Sequence, residues 1–214
     1  MDVIEFGAEP NAPVIVFFHG YGANDADLAP LAREIPTNNP ARWLFPNGPL
    51  KLDTQGYCRA WFLIDTDRIE QAQRSGKATD FSQTEPAGLA EAREQADKFL
   101  QALGVPWEQL ILGGFSQGAM LAADLALRAP KNPRGLVILS GNLVNEKIWR
   151  ELAPKRAGLP FFQSHGRADP ILGYQGARKL EALFKEAGLC GQMLSFDGGH
   201  GIPSEAITAL GQYL

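Results

Sequence analysis

Leu110-Ile111-Leu112-Gly113-Gly114-Phe115-Ser116-Gln117-Gly118-Ala119-Met120 joins a short apolar run to a segment, Gly118 to Ala129, whose only charges are Asp124 and Arg128. The first part reads as a buried strand, and a helix that is apolar all round belongs inside a protein. Ser116 therefore falls at a strand-to-helix turn. Such a turn strains the serine backbone and pushes Oγ into the open, and residues 114 and 118 must be glycine because a side chain there would strike the strand or the helix. The helix N-terminus offers N–H groups and a positive dipole end where an oxyanion would form. The plainer role for Ser116 is that of a helix cap.

Outward from this turn, apolar runs alternate with amphipathic ones. Val14–Phe18, Trp43–Phe45, Leu136–Leu139, Pro160–Phe162 and Met193–Phe196 read as further strands. Leu28, Leu31, Ala32 and Ile35 repeat with helical spacing, and Pro30 confines the regular part to the stretch around Asp27 onward. Leu89 to Leu103 carries one apolar face, with Thr84 as cap, Pro86 in the first turn and Gly104 as stop. Ala177, Leu180, Phe184 and Ala187 make another stripe, and a last helix opens near Pro203. Strand and helix in series predict an α/β chain: a mostly parallel twisted sheet, helices on both faces, one domain over 1–214. The irregular stretch from Asn47 to Gln83 holds the aromatic island Tyr57, Trp61 and Phe62, and is expected to be a folded excursion able to cover a site.

Composition narrows the chemistry. The 214 residues are 45% hydrophobic and 21% charged with net charge -4, and no run of Lys or Arg offers the phosphate attraction that nucleic-acid binding needs. Two distant cysteines, Cys58 and Cys190, suit neither a disulfide framework nor zinc. Met1–Phe6 lacks a signal-peptide pattern and no window is apolar for ~18 residues, so the chain is expected to be complete, cytoplasmic and without an integral membrane segment. Gly113 and Gly118 have P-loop spacing, but Ala119-Met120 replaces the required Lys-Ser/Thr. Gly20-Tyr21-Gly22-Ala23-Asn24-Asp25 lacks the third glycine of a dinucleotide fingerprint. No cofactor and no metal are indicated.

A serine nucleophile needs a base, and the base needs an anion to fix its tautomer. His19 lies upstream, at the end of an early strand, and His165 in Ser164-His165-Gly166 suits local packing. His200, in Gly198-Gly199-His200-Gly201 after the last apolar run, is placed to reach a crevice at the strand ends. Asp169, in Gly166-Arg167-Ala168-Asp169-Pro170, is the favoured acid. Its rival Asp197 stands only three residues before His200, where it would shape the turn, and Asp124 would face away. The order Ser116, Asp169, His200 is that of α/β hydrolases. The glycines of His19-Gly20-Tyr21-Gly22 allow close approach to a ligand, so N–H groups of Tyr21 and Gln117 are the expected oxyanion donors.

Taken together, Phe18-His19-Gly20-Tyr21-Gly22-Ala23-Asn24, the segment from Gly113 to Met120, His165-Gly166 with Asp169-Pro170, and Gly199-His200 resemble the carboxylesterase/phospholipase family. That family includes small bacterial carboxylesterases, lysophospholipases and acyl-protein thioesterases. Pro46-Asn47-Gly48-Pro49 and Arg59-Ala60-Trp61-Phe62 are similar to its strand end and active-site loop, and the likeness runs from Val14 to the end. One departure is Leu63-Ile64-Asp65, where many members have Asp directly after Trp-Phe. The resemblance implies a single-domain α/β-hydrolase fold without a large cap domain, and ester or thioester cleavage through an acyl-serine. It puts Ser116, Asp169 and His200 in the triad and Tyr21 and Gln117 at the oxyanion positions. Trp61, Phe62 and Leu143 are candidate acyl-pocket walls, with core packing as their other reading. The expected partner is a small-molecule ester or thioester, and a homodimer is compatible with the sequence. Acyl transfer on the same triad, or a non-catalytic binding protein on the same scaffold, are the competing functions.

Overall fold

The computed structural model describes residues 1–7, 12–37, 40–74 and 79–214. Its central sheet is built from β1 (Val3–Phe6), β2 (Val14–Phe18), β3 (Arg42–Pro46), β6 (Leu110–Phe115), β7 (Gly135–Leu139), β8 (Pro160–Gly166) and β9 (Cys190–Phe196). A small hairpin of β4 (Leu50–Lys51) and β5 (Arg59–Ala60) lies apart from it. The order across the sheet is β1-β3-β2-β6-β7-β8-β9, antiparallel between β1 and β3 and parallel elsewhere.

The runs without polar alternation follow from burial on both faces. Val14, Val16 and Phe18 enter one core with Leu136 and Ile138, while Ile15 and Phe17 enter the other with Val137 and Leu139. A period of two therefore survives inside an all-apolar sequence. The first core is closed by α4 (Leu89–Ala102), α5 (Gln117–Arg128), α6 (Glu146–Leu152) and α7 (Tyr174–Glu186), the second by α1 (Asp25–Leu28), α2 (Leu31–Glu34) and α8 (Ser204–Tyr213).

From β2 the chain goes to β3 on one side and later to β6 on the other. The order thus reverses beside β2, and the carboxyl ends of β2 and β6 flank a crevice there. Such a switch point is where open α/β sheets bind ligands.

Several elements differ from the sequence reading. Edge strand β1 is short, alternately half-buried, and carries too little apolar signal to stand out. The stretch after Asn24 is two four-residue helices broken at Pro30, the first capped by Asn24 Oδ1 accepting from Ala26 N–H. Helix α4 starts after Gly88 at φ +85°, later than Thr84 and Pro86, because only glycine takes that left-handed turn freely. Within the 47–83 excursion lie the β4–β5 hairpin and the helix α3 (Thr66–Arg74); its residues 75–78 lie outside the described ones. Single bridges from Thr79 to Leu172 and Phe81 to Val144 stitch the returning chain to the body. Trp61 and Phe62 are buried and Tyr57 is 68% exposed, so the aromatic island splits into core and surface.

Candidate active site

Ser116 takes φ +54° between β6 and α5, a strained conformation for a residue with a side chain. Its N–H donates to Leu139 O at 2.9 Å, and its own carbonyl accepts from Ala119 and Met120 N–H, so sheet and helix hold the turn from both ends. The flanking glycines are needed for space. A Cβ on Gly114 would sit 2.5 Å from Phe18 O, and one on Gly118 would run into the carbonyls of Phe18 and His19. Backbone cannot give way there. Strand β2 and helix α5 approach this closely only because both positions lack side chains.

His200 rides the loop after β9. Ser140 Oγ donates to Gly201 O at 2.9 Å, Ala168 N–H donates to Gly198 O at 3.0 Å, and the Phe115 ring lies 4.9 Å from the imidazole. These contacts bring His200 Nε2 to 2.8 Å from Ser116 Oγ and His200 Nδ1 to 2.7 Å from Asp169 Oδ2. The other carboxylate oxygen of Asp169 accepts from Ile171 and Leu172 N–H at 2.8 and 2.9 Å. Burial pushes the Asp169 carboxyl upward, but hydrogen bonds from His165 and His200 outweigh it and hold the group well below the usual carboxylate range. The rival Asp197 points into solvent and pairs with Arg167. Asp124 is buried away from the serine among Arg93, Arg128 and the Trp149 indole N–H.

Tyr21 and Gln117 flank the serine on the β2 side and the α5 side, and among the described residues neither backbone N–H has a hydrogen-bond partner. The loop carrying Tyr21 is tied down in an unexpected way. Gly22 N–H donates to Arg59 O and Arg59 N–H to Ala23 O, each at 2.8 Å. The fully buried Gln117 amide then accepts from Trp61 N–H at 2.9 Å and donates to Phe62 O at 2.7 Å. The helix start and the 59–62 segment are thereby fastened together. His19 adds a third tie: its Nδ1–H donates to Gly20 O, its Nε2 accepts from Gly48 N–H, and burial pushes its basicity down. In the chain sequence nothing marks the Gln117 side chain for this work.

A cavity of about 220 Å³ opens at Ser116 and His200, with apolar walls from Ile64, Ile69, Phe81, Met120, Ile171 and Leu172. Trp61, Phe62 and Leu143, the walls expected from sequence, do not line it. They are at most 1% exposed and belong to the core behind the site, so packing is what they do. Ile171 and Leu172 follow Asp169 directly, a placement legible in the sequence. Ile69 is an isolated apolar residue in the polar Thr66–Arg74 segment, and only the folded path brings it to the serine. Among the described residues no group of three or more His, Cys, Asp or Glu is arranged to hold a metal.

The profile of the phospholipase/carboxylesterase family matches residues 1–214. The chain belongs to that family. Acyl-protein thioesterase 1 of Kluyveromyces lactis is 29% identical over 190 residues, spanning 84% of this chain and 79% of its own. Among solved structures, the esterase PE8 superposes with a TM-score of 0.82 at 24% identity, over 98% of this chain and 95% of that one. The carboxylesterase of Bacillus cereus gives 0.72 at 22%, over 100% and 92%. The fold is that of the α/β hydrolases. No helix among the described residues is long and apolar enough to cross a membrane.

Proposed function

We propose that the chain hydrolyses short- to medium-chain acyl esters or thioesters through an acyl-serine on Ser116. The observation that supports this most is the continuous relay Ser116 Oγ to His200 Nε2 at 2.8 Å and His200 Nδ1 to Asp169 Oδ2 at 2.7 Å, opening on an apolar cavity. His200 takes the hydroxyl proton as Ser116 attacks the carbonyl. Asp169 fixes the tautomer that leaves Nε2 free and stabilises the imidazolium. N–H groups of Tyr21 and Gln117 receive the oxyanion, a role for which one lost donor costs about 3 kcal/mol in related chemistry. His200 returns the proton to the leaving alcohol or thiol, and then activates the water that frees the acid.

Substrate size follows from the cavity. At about 220 Å³ it lies under the ~300–1,000 Å³ usual for drug-sized ligands, which favours modest acyl groups in the Ile64–Ile69–Phe81 pocket. A small-molecule ester or thioester is the proposed partner. The free cysteines Cys58 and Cys190 support a reducing, cytoplasmic setting.

Ser116→Ala tests the assignment. Hydrolysis of a short-chain p-nitrophenyl ester should fall by at least ~10⁴-fold in kcat with the fold intact, by analogy with serine hydrolases lacking their nucleophile. Retained activity would remove Ser116 from the chemistry. Because Asp169 is held ionised in the folded chain, it contributes stability that is complete above about pH 4 and is lost as the pH falls further. Acid unfolding of the wild type should therefore depend more steeply on pH below about 4 than that of Asp169→Asn.

A further inference from the structure

Asp169 receives a second imidazole besides that of His200. His165, at the carboxyl end of β8 and fully buried, points Nε2 at Asp169 Oδ2 (3.2 Å) and at Leu172 O (2.6 Å). Both neighbours are acceptors, so Nε2 carries the hydrogen; it donates to Leu172 O, and the same N–H edge lies 3.2 Å from Oδ2. His165 Nδ1 has no partner among the described residues, so the ring's one polar engagement is this pair of contacts. Oδ2 is the oxygen that also accepts from His200 Nδ1, while Oδ1 is occupied by two backbone N–H groups. The carboxylate is thus held at both oxygens, and its orientation toward His200 is set from the far side by His165.

We infer that His165 is a positioning residue of the site, acting through Asp169 by fixing the carboxylate's plane and sharing the charge on the oxygen that faces His200. The inference rests on the triad reading above. The ring cannot touch substrate, because it lies wholly in the core with Tyr174 beside it, ring centroids 6.4 Å apart, and outside the walls of the cavity. The charged groups of the adjoining turns, Arg167 and Asp197, pair with each other at the surface. Two consequences follow from removing the Nε2 donor. Oδ2 becomes the more basic for His200, which favours imidazolium and moves the acid limb of the rate profile to higher pH. The carboxylate also gains freedom to rotate, which lowers kcat and leaves KM nearly unchanged, since no substrate contact is lost.

The test compares wild type, His165→Phe, His165→Gln and Asp169→Asn, each checked for native far-UV and near-UV circular dichroism. With a short-chain p-nitrophenyl ester, His165→Phe should lose roughly ten- to a hundredfold in kcat at constant KM, with an acid limb shifted upward by several tenths of a pH unit. His165→Gln, whose amide nitrogen can reach the same oxygens, should recover most of both. A folded His165→Phe with wild-type kcat and acid limb, beside an impaired Asp169→Asn, would overturn the inference and leave the triad standing. If Asp169→Asn were itself fully active, the triad reading would fall first. Should His165→Phe not fold, His165→Leu takes its place: a folded His165→Leu with lowered kcat, constant KM and an upshifted acid limb, recovered in His165→Gln, supports the inference, and a folded His165→Leu with wild-type kcat and acid limb contradicts it.

Discussion

Two regions meet over Ser116, and they are built on opposite terms. The β6–α5 turn is buried throughout α5 except Arg128, crowded against β2 at Gly114 and Gly118, and held by hydrogen bonds to Leu139 on one side and within α5 on the other. The excursion from Asn47 to Gln83 is largely polar and carries the exposed Tyr57 and Leu63. Gly48 and residues 59–62 are tied to the body by hydrogen bonds to His19, Gly22, Ala23 and Gln117, and the returning chain by single bridges at Thr79 and Phe81. The first region carries the proposed nucleophile, Ser116, and the proposed donor N–H of Gln117. The second supplies the apolar wall through Ile64, Ile69 and Phe81. On the proposed reading, the reacting atoms lie where the chain has no alternative packing, and the walls that would select the substrate lie where side chains can change at little structural cost.

The contrast can be broken most severely at the turn. Gly118→Ala forces a methyl group into the carbonyls of Phe18 and His19, and backbone has no rotamer to offer. It should cost about 1–3 kcal/mol or more of stability and abolish detectable ester hydrolysis, read by thermal melting and a p-nitrophenyl assay. A fully active, wild-type-stable variant would mean that α5 and β2 do not approach as described. At the excursion, Ile69→Ala should leave the melting temperature nearly unchanged. It should raise kcat/KM for longer acyl chains relative to butyrate by roughly tenfold, the scale of one to two methylenes in an apolar pocket. An unaltered chain-length profile would take α3 out of the pocket. The smallest effect belongs to Tyr57→Ser, at a side chain 68% exposed, where stability should stay within about 0.5 kcal/mol and the rate should not move.

The same contrast explains what could be read from sequence. The β6–α5 turn was legible because its residue types are dictated by crowding: glycines where a Cβ has no room, apolar residues where both faces are covered. Asp169 and His200 stood out in the sequence because their order after Ser116 is the one α/β hydrolases use and both follow predicted strands on glycine-containing loops, and the structure brings all three side chains within hydrogen-bond distance. The pocket was not. Trp61 and Phe62 look like wall residues by chemistry, yet the backbone of 61–62 is clamped by Gln117 with both rings turned into the core, and the cavity is left to Ile64 and Ile69. Those positions depend on the path the chain takes after the clamped residues 59–62, which no local pattern encodes. The early start given to α4 failed for a related reason: Thr84 and Pro86 carry helix-start chemistry, but the left-handed Gly88 decides the boundary.

Everything proposed above depends on Ser116 acting as the nucleophile with His200 as its base. Incubating the intact chain with a fluorophosphonate probe and mapping the adduct by peptide mass spectrometry reads this out at the serine itself. Ser116 should be modified stoichiometrically, with labelling abolished in Ser116→Ala and slowed by orders of magnitude in His200→Ala. No adduct, or an adduct elsewhere with Ser116 unmodified, would contradict it.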